Sequence, residues 1–185
     1  LDDLAGYPYG CVEQTMSRFL PTLIVANTFK ELNVPVKSGV IKELPKMVET
    51  GLKRLYNFQH SDGGWGWWTN DQTHPYMTAY VVYGLSLAKQ AGFNIKEDVL
   101  EKGIVNLKSQ IESFSQNDET TLTYMLYSFT TATQGREEFS SHQKELLKIL
   151  SAKQLNTYSI SLLIQTAIMS NEKNLAEDLS VKLIS

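Results

Sequence analysis

The chain has 185 residues, 42% of them hydrophobic, with 20 acidic against 17 basic side chains and a formal net charge of −3. That is enough for the core of one globular domain, and the basic residues are not clustered as a nucleic-acid footprint requires. No apolar run approaches the roughly 20 residues that span a bilayer, the first residues lack the pattern of a secretory signal, and a single cysteine excludes a disulfide framework or a multi-cysteine metal site.

That cysteine comes first in chain order, in "YPYGCVEQTMSRFLP", residues 7–21. A lone thiol in a helical domain reads first as a small buried hydrophobe. The setting allows more. Gly10 and the stiff lead-in place Cys11 at the first turn of a helix predicted over 12–20, where unpaired N–H groups and the macrodipole favour a thiolate. Gln14, three residues on, shares a helix face with it, Cβ to Cβ about 5–6 Å. A sulfur attacking that carboxamide, with ammonia lost, closes an internal thioester. Glu13 is the nearest group to assist proton transfer, or else a first-turn carboxylate favoured by the helix dipole. Pro21 is expected to end this helix and begin another over 21–32.

Apolar spacings of three and four, as in Ile41, Leu44, Val48, Leu52 and Leu55, predict a further helix over 38–59. The same pattern predicts helices over 74–90, 96–112, 118–133, 136–152, 157–169 and 172–184, and strand alternation is not evident. An echo at about forty-residue offset links "AYVVYGLSLA" (79–88), "TYMLYSFTTA" (123–132) and "SLLIQTAIM" (161–169). These stretches are poor in charge and read as inner helices, whereas "QKELLKIL" and "IKEDVLEKGIVNLKSQI" carry charge on one face as outer helices do. The alternation predicts an all-α barrel of helical hairpins. Between two helices, "GLKRLYNFQHSDGGWGW" spaces Gln59, Gly63 and Trp65 in a way that resembles the QW motif of triterpene cyclases. There the amide satisfies backbone groups at a helix end while the indole packs beneath. The plainer reading is a Gly-rich turn with core tryptophans.

"YPYGCVEQT" resembles the thioester site of the alpha-2-macroglobulin and complement proteins, most closely the bacterial members. Gly10, Cys11, Glu13 and Gln14 occupy the motif positions and Val12 departs from the animal pattern; Pro21 and the Asp62–Gly63 turn also fit. The resemblance implies a thioester-containing α/α toroid of terpenoid cyclase/prenyltransferase-like type, in which residues 1–185 form the N-terminal portion and 7–21 the thioester region. Such a toroid has about six hairpins and helices for about four are predicted here, so the toroid is expected to be incomplete. The implied function is inhibition: a thioester held in a dry pocket, beneath Tyr7 and Tyr9 as candidate cover, acylates an attacking protease once the parent chain is cut. Tyr7 and Tyr9 are equally readable as packing aromatics.

Complement members that transfer to hydroxyls use a histidine roughly a hundred residues after the cysteine. The segment expected there, "SFSQNDE" (113–119), has none, and only Asn117 falls near the position. His142 reads as an outer-helix surface residue, and His74, before Pro75, is a weaker candidate. Amines such as lysine side chains are then the expected acceptors. The chemistry needs no cofactor, His60 and Asp62 fall short of a metal set, and the expected partners are proteases and macroglobulin-like domains of the same parent chain. Periplasmic or cell-envelope placement, with a lipid anchor on the parent, is implied by the resemblance alone. The alternatives are a helical scaffold whose thiol stays free and, less well supported because no Asp-x-Asp-Asp acid occurs, a cyclase-like enzyme.

Overall fold

The structure, a computed structural model, describes residues 10–32, 39–114, 118–134 and 141–184. Among them the chain is all-helical: α1 (Val12–Glu31), α2 (Gly39–Asn57), α3 (Pro75–Gln90), α4 (Glu97–Glu112), α5 (Glu119–Thr133), α6 (Ser141–Ala152), α7 (Thr157–Met169) and α8 (Lys173–Ile184). Part of the helix expected over 136–152, residues 136–140, lies outside the described residues, as do Tyr7, Tyr9 and Asn117.

The chain divides into two compact units, residues 1–103 and 104–185. In the first, α1 packs against α2 and α3. The approach is close because glycines face it. A Cβ on Gly51 of α2 would stand 2.7 Å from the Phe19 ring, and one on Gly84 of α3 would stand 2.6 Å from the Met16 methyl. Pro21 does not divide this segment, contrary to expectation: α1 runs unbroken through it. The ring removes one ladder N–H at a cost of about 3 kcal/mol. Met16, Phe19 and Leu23, all at most 3% exposed, each contribute roughly 1.5–3 kcal/mol by burial and outweigh that loss.

In the second unit α5 and α7 pack together, α8 lies on α7, and α6 touches all three. The helices predicted to be internal are the most thoroughly buried, with nine buried residues in each of α3 and α5. By contrast α4 buries one stripe, Leu100, Ile104, Leu107 and Ile111, and exposes Glu101, Lys102 and Val105. Asp118 and Asn156 cap α5 and α7, accepting from the backbone N–H of Thr121 at 3.0 Å and Ser159 at 2.8 Å. Hydrogen bonds from Thr121 hold the Asp118 carboxyl below its ordinary pKa. Among the described residues no helix is long and apolar enough to cross a membrane.

Candidate functional site

Cys11 is the N-cap of α1, extended at φ −73° and ψ 176°, and therefore one residue outside the helix rather than within its first turn. Gln14 is at the third helical position. The two make a reciprocal capping box, the arrangement usually built from Ser or Thr with Glu or Gln. The Gln14 backbone N–H donates to Cys11 Sγ at 3.5 Å, and the Cys11 backbone N–H donates to Gln14 Oε1 at 3.2 Å. Thiol and carboxamide are thus drawn together by the orphan N–H groups of a helix end, a more specific device than sharing a helix face. Cys11 is 7% exposed and followed by a fully buried Val12, while Glu13 and Gln14 face solvent. Thr15, also buried, donates from its hydroxyl to Cys11 O at 3.0 Å. Glu13 contributes its backbone carbonyl to Ser17 Oγ at 2.9 Å, and its carboxylate is exposed.

Two residues absent from the sequence-level site hold this turn. Arg54, on α2, donates from Nη2 to Gly10 O at 3.0 Å. Its guanidinium also lies over the Phe58 ring, 5.9 Å from the centroid. Trp67 contributes its carbonyl, which accepts from the Val12 N–H at 2.9 Å and so caps the first helical residue. No local pattern marks either residue, since both reach the site from other parts of the chain.

The loop bearing Trp67 is itself tied down. Asp71 Oδ2 accepts from the N–H groups of Trp67 at 2.8 Å and Trp68 at 3.1 Å. His60 places Nε2 2.8 Å from Trp68 O and Nδ1 2.9 Å from the Thr73 hydroxyl, with Asp71 Oδ1 3.5 Å away. His74 caps α3 through its backbone and meets Trp67 edge-on at 4.5 Å between ring centroids. Burial pushes the His74 pKa down, against an opposing pull from Asp71.

At the start of the loop Gln59 donates from Nε2 to Gly63 O at 2.9 Å and to Val99 O, in α4, at 2.8 Å. Gly63 has φ +90°, and a Cβ there would lie 2.6 Å from Lys102 O, so both conformation and space require glycine. Trp65 is fully buried and donates from Nε1 to Leu55 O at 2.8 Å, in the last turn of α2. Gln59, Gly63 and Trp65 therefore form one assembly joining α2 to α4, while Cys11, Gln14, Gly10 and Arg54 form another at the start of α1. His142 is exposed on α6, in the second unit.

Residues 1–126 match the family model of the A-macroglobulin TED domain. An alpha-2-macroglobulin of Thermotoga maritima is 39% identical over 114 residues, 62% of this chain and 7% of that protein. The Escherichia coli alpha-2-macroglobulin is 31% identical over 104 residues, 56% of this chain and 6% of that protein. The crystal structure of native alpha-2-macroglobulin from Escherichia coli, from domain MG7 to the C-terminus, superposes with a TM-score of 0.76 over 98% of this chain at 20% identity, and this chain covers 30% of it. Salmonella alpha-2-macroglobulin reacted with methylamine superposes with a TM-score of 0.74 over 98% of this chain at 19% identity, 12% of that structure being covered. The chain thus spans less than a tenth of the relatives' length. A helical chain whose cysteine and glutamine meet at a helix start, and most of whose length fits the family model, belongs to the A-macroglobulin TED domain family.

Proposed function

We propose that Cys11 and Gln14 condense into an internal thioester, and that the parent protein uses it once per molecule to trap an attacking protease covalently. The observation that carries this reading is the reciprocal Cys11–Gln14 capping box in a chain of this family. In the closing step Sγ attacks Gln14 Cδ, the C–N bond breaks, and the amide nitrogen leaves as ammonia with the thiol proton. In the trapping step a lysine amine attacks the same carbon, the C–S bond breaks with its electron pair on sulfur, and the nitrogen loses a proton. The products are an isopeptide bond and a free thiol. No cofactor or metal enters either step, and without turnover the protein is an inhibitor rather than an enzyme.

Burial of Cys11 beside an exposed Gln14 supports the assignment, since the sulfur is shielded from water while the residue that supplies the acyl carbon stays open to an incoming nucleophile. The reaction of the Salmonella relative with methylamine is in keeping with amine acceptors. Glu13, at the rim, takes up the proton released from the amine, and the family resemblance assigns Tyr7 and Tyr9, outside the described residues, to covering the thioester. Gln59, Gly63 and Trp65 serve as the brace that keeps the adjoining loop in register. Residues 1–185 act as part of one thioester domain in a larger α/α toroid, beside other macroglobulin-like domains of a periplasmic or envelope-bound parent. The test is to incubate the full-length parent with trypsin and seek a denaturant-resistant adduct linking Gln14 to a protease lysine. The adduct is expected to vanish in Cys11→Ser and after methylamine pretreatment; an adduct that survives either change refutes the proposal.

A further inference from the structure

The peptide unit between Gly10 and Cys11 is bonded at both ends. Its carbonyl accepts from Arg54 Nη2 at 3.0 Å, and its N–H donates to Gln14 Oε1 at 3.2 Å. That second oxygen is the one on which negative charge develops when the Gln14 carbonyl carbon becomes tetrahedral. The Cys11 N–H is therefore placed as an oxyanion donor, and the relay runs from guanidinium to peptide to acyl oxygen.

From this geometry we infer that Arg54 is the positioning residue of the thioester reaction. It acts through the Gly10–Cys11 peptide and speeds both closing and opening. The inference rests on the thioester reading above and adds a residue from another helix to it. Two effects are expected of a cation on that carbonyl. It polarises the peptide, which makes the Cys11 N–H a stronger donor, and it fixes the peptide plane so that the N–H points at Oε1.

The surroundings suit that role. Stacking over Phe58 restrains the guanidinium on α2. Glycine at position 10 leaves the space in which the groups converge, since a Cβ there would stand 3.0 Å from Gln14 Oε1 and 3.7 Å from Arg54 Nη2. The relay is independent of the nucleophile. Each reaction at this carbon, whether attack by Sγ, an amine or hydroxide, places charge on the same oxygen before the C–N or C–S bond breaks.

The test uses the full-length protein with Arg54→Met, Arg54→Lys and, as control, Lys53→Met, which removes a charge from the exposed neighbouring position. Thiol release is followed with methylamine and, separately, with hydroxide at alkaline pH. Arg54→Met is expected to slow both reactions by a similar factor, about tenfold, less than the loss seen on removing a direct oxyanion donor. Arg54→Lys is expected to fall between, at about threefold, and Lys53→Met to leave both rates unchanged. A merely structural role predicts the opposite sign, because a loosened turn admits water and accelerates hydrolysis. Folded Arg54→Met protein that keeps its Gln14 carboxamide, with closure regained in Arg54→Lys, supports the inference, because closure passes through the same oxyanion. Faster hydrolysis, or rates unmoved in a closed Arg54→Met protein, overturns it. Wild-type protein that never loses ammonia refutes the thioester itself instead.

Discussion

Replacing Trp65 with phenylalanine tests how the first unit holds its loop. Trp65 is 0% exposed and its indole N–H bonds to Leu55 O at 2.8 Å. That carbonyl also shares the Phe58 N–H at 3.3 Å, so losing the indole leaves it weakly bonded rather than orphaned, at a cost of about 1 kcal/mol. The missing ring atoms face Gly103, whose added Cβ would stand only 2.8 Å from Trp65 Cζ3. The void beside a helix backbone adds about 1–2 kcal/mol, since backbone relaxes little. The sum is roughly 2–3 kcal/mol, to be measured by urea denaturation of this chain followed through Trp67 and Trp68. A change below about 0.5 kcal/mol contradicts the packing argument, and so does an equal loss in a Trp68→Phe control, since Trp68 is 55% exposed.

The other predictions concern the site and its supports. Cys11→Ser keeps a good N-cap, so stability is expected to change by less than about 1 kcal/mol while methylamine uptake disappears, as read by denaturation and by labelling. Asp71→Ala releases the N–H groups of Trp67 and Trp68, and hydrogen exchange at both amides is expected to rise by about an order of magnitude, with a smaller rise at Val12. The folded-state pKa of His74 lies below 6.5, so the unfolded chain binds the extra proton first as pH falls. Its contribution to stability is complete above pH 6.5 and declines below it; His74→Phe should flatten that part of the pH–stability curve.

Much of this architecture was legible because helical periodicity and charge distribution are local. The charge-poor stretches 79–88, 123–132 and 161–169 fall in the buried helices α3, α5 and α7. Pro21 reads as a helix break because its local penalty is visible in sequence while the packing of Met16, Phe19 and Leu23 that overrides it is not. At the candidate site the Cys11–Gln14 spacing was apparent, but the N-cap position was not, since a cysteine is a rare capping residue. Arg54 and Trp67 are not legible in the sequence because each acts across 44 or more residues through a backbone group, which leaves no mark on side-chain spacing.

Whether Cys11 and Gln14 are joined is measured most directly by the intact mass and thiol reactivity of the full-length protein, purified without exposure to amines. An internal thioester gives a chain lighter by one ammonia, with Cys11 closed to alkylating reagents until methylamine is added and Gln14 then carrying the methylamide. A chain of full mass whose Cys11 alkylates at once and whose Gln14 remains an unmodified amide contradicts it.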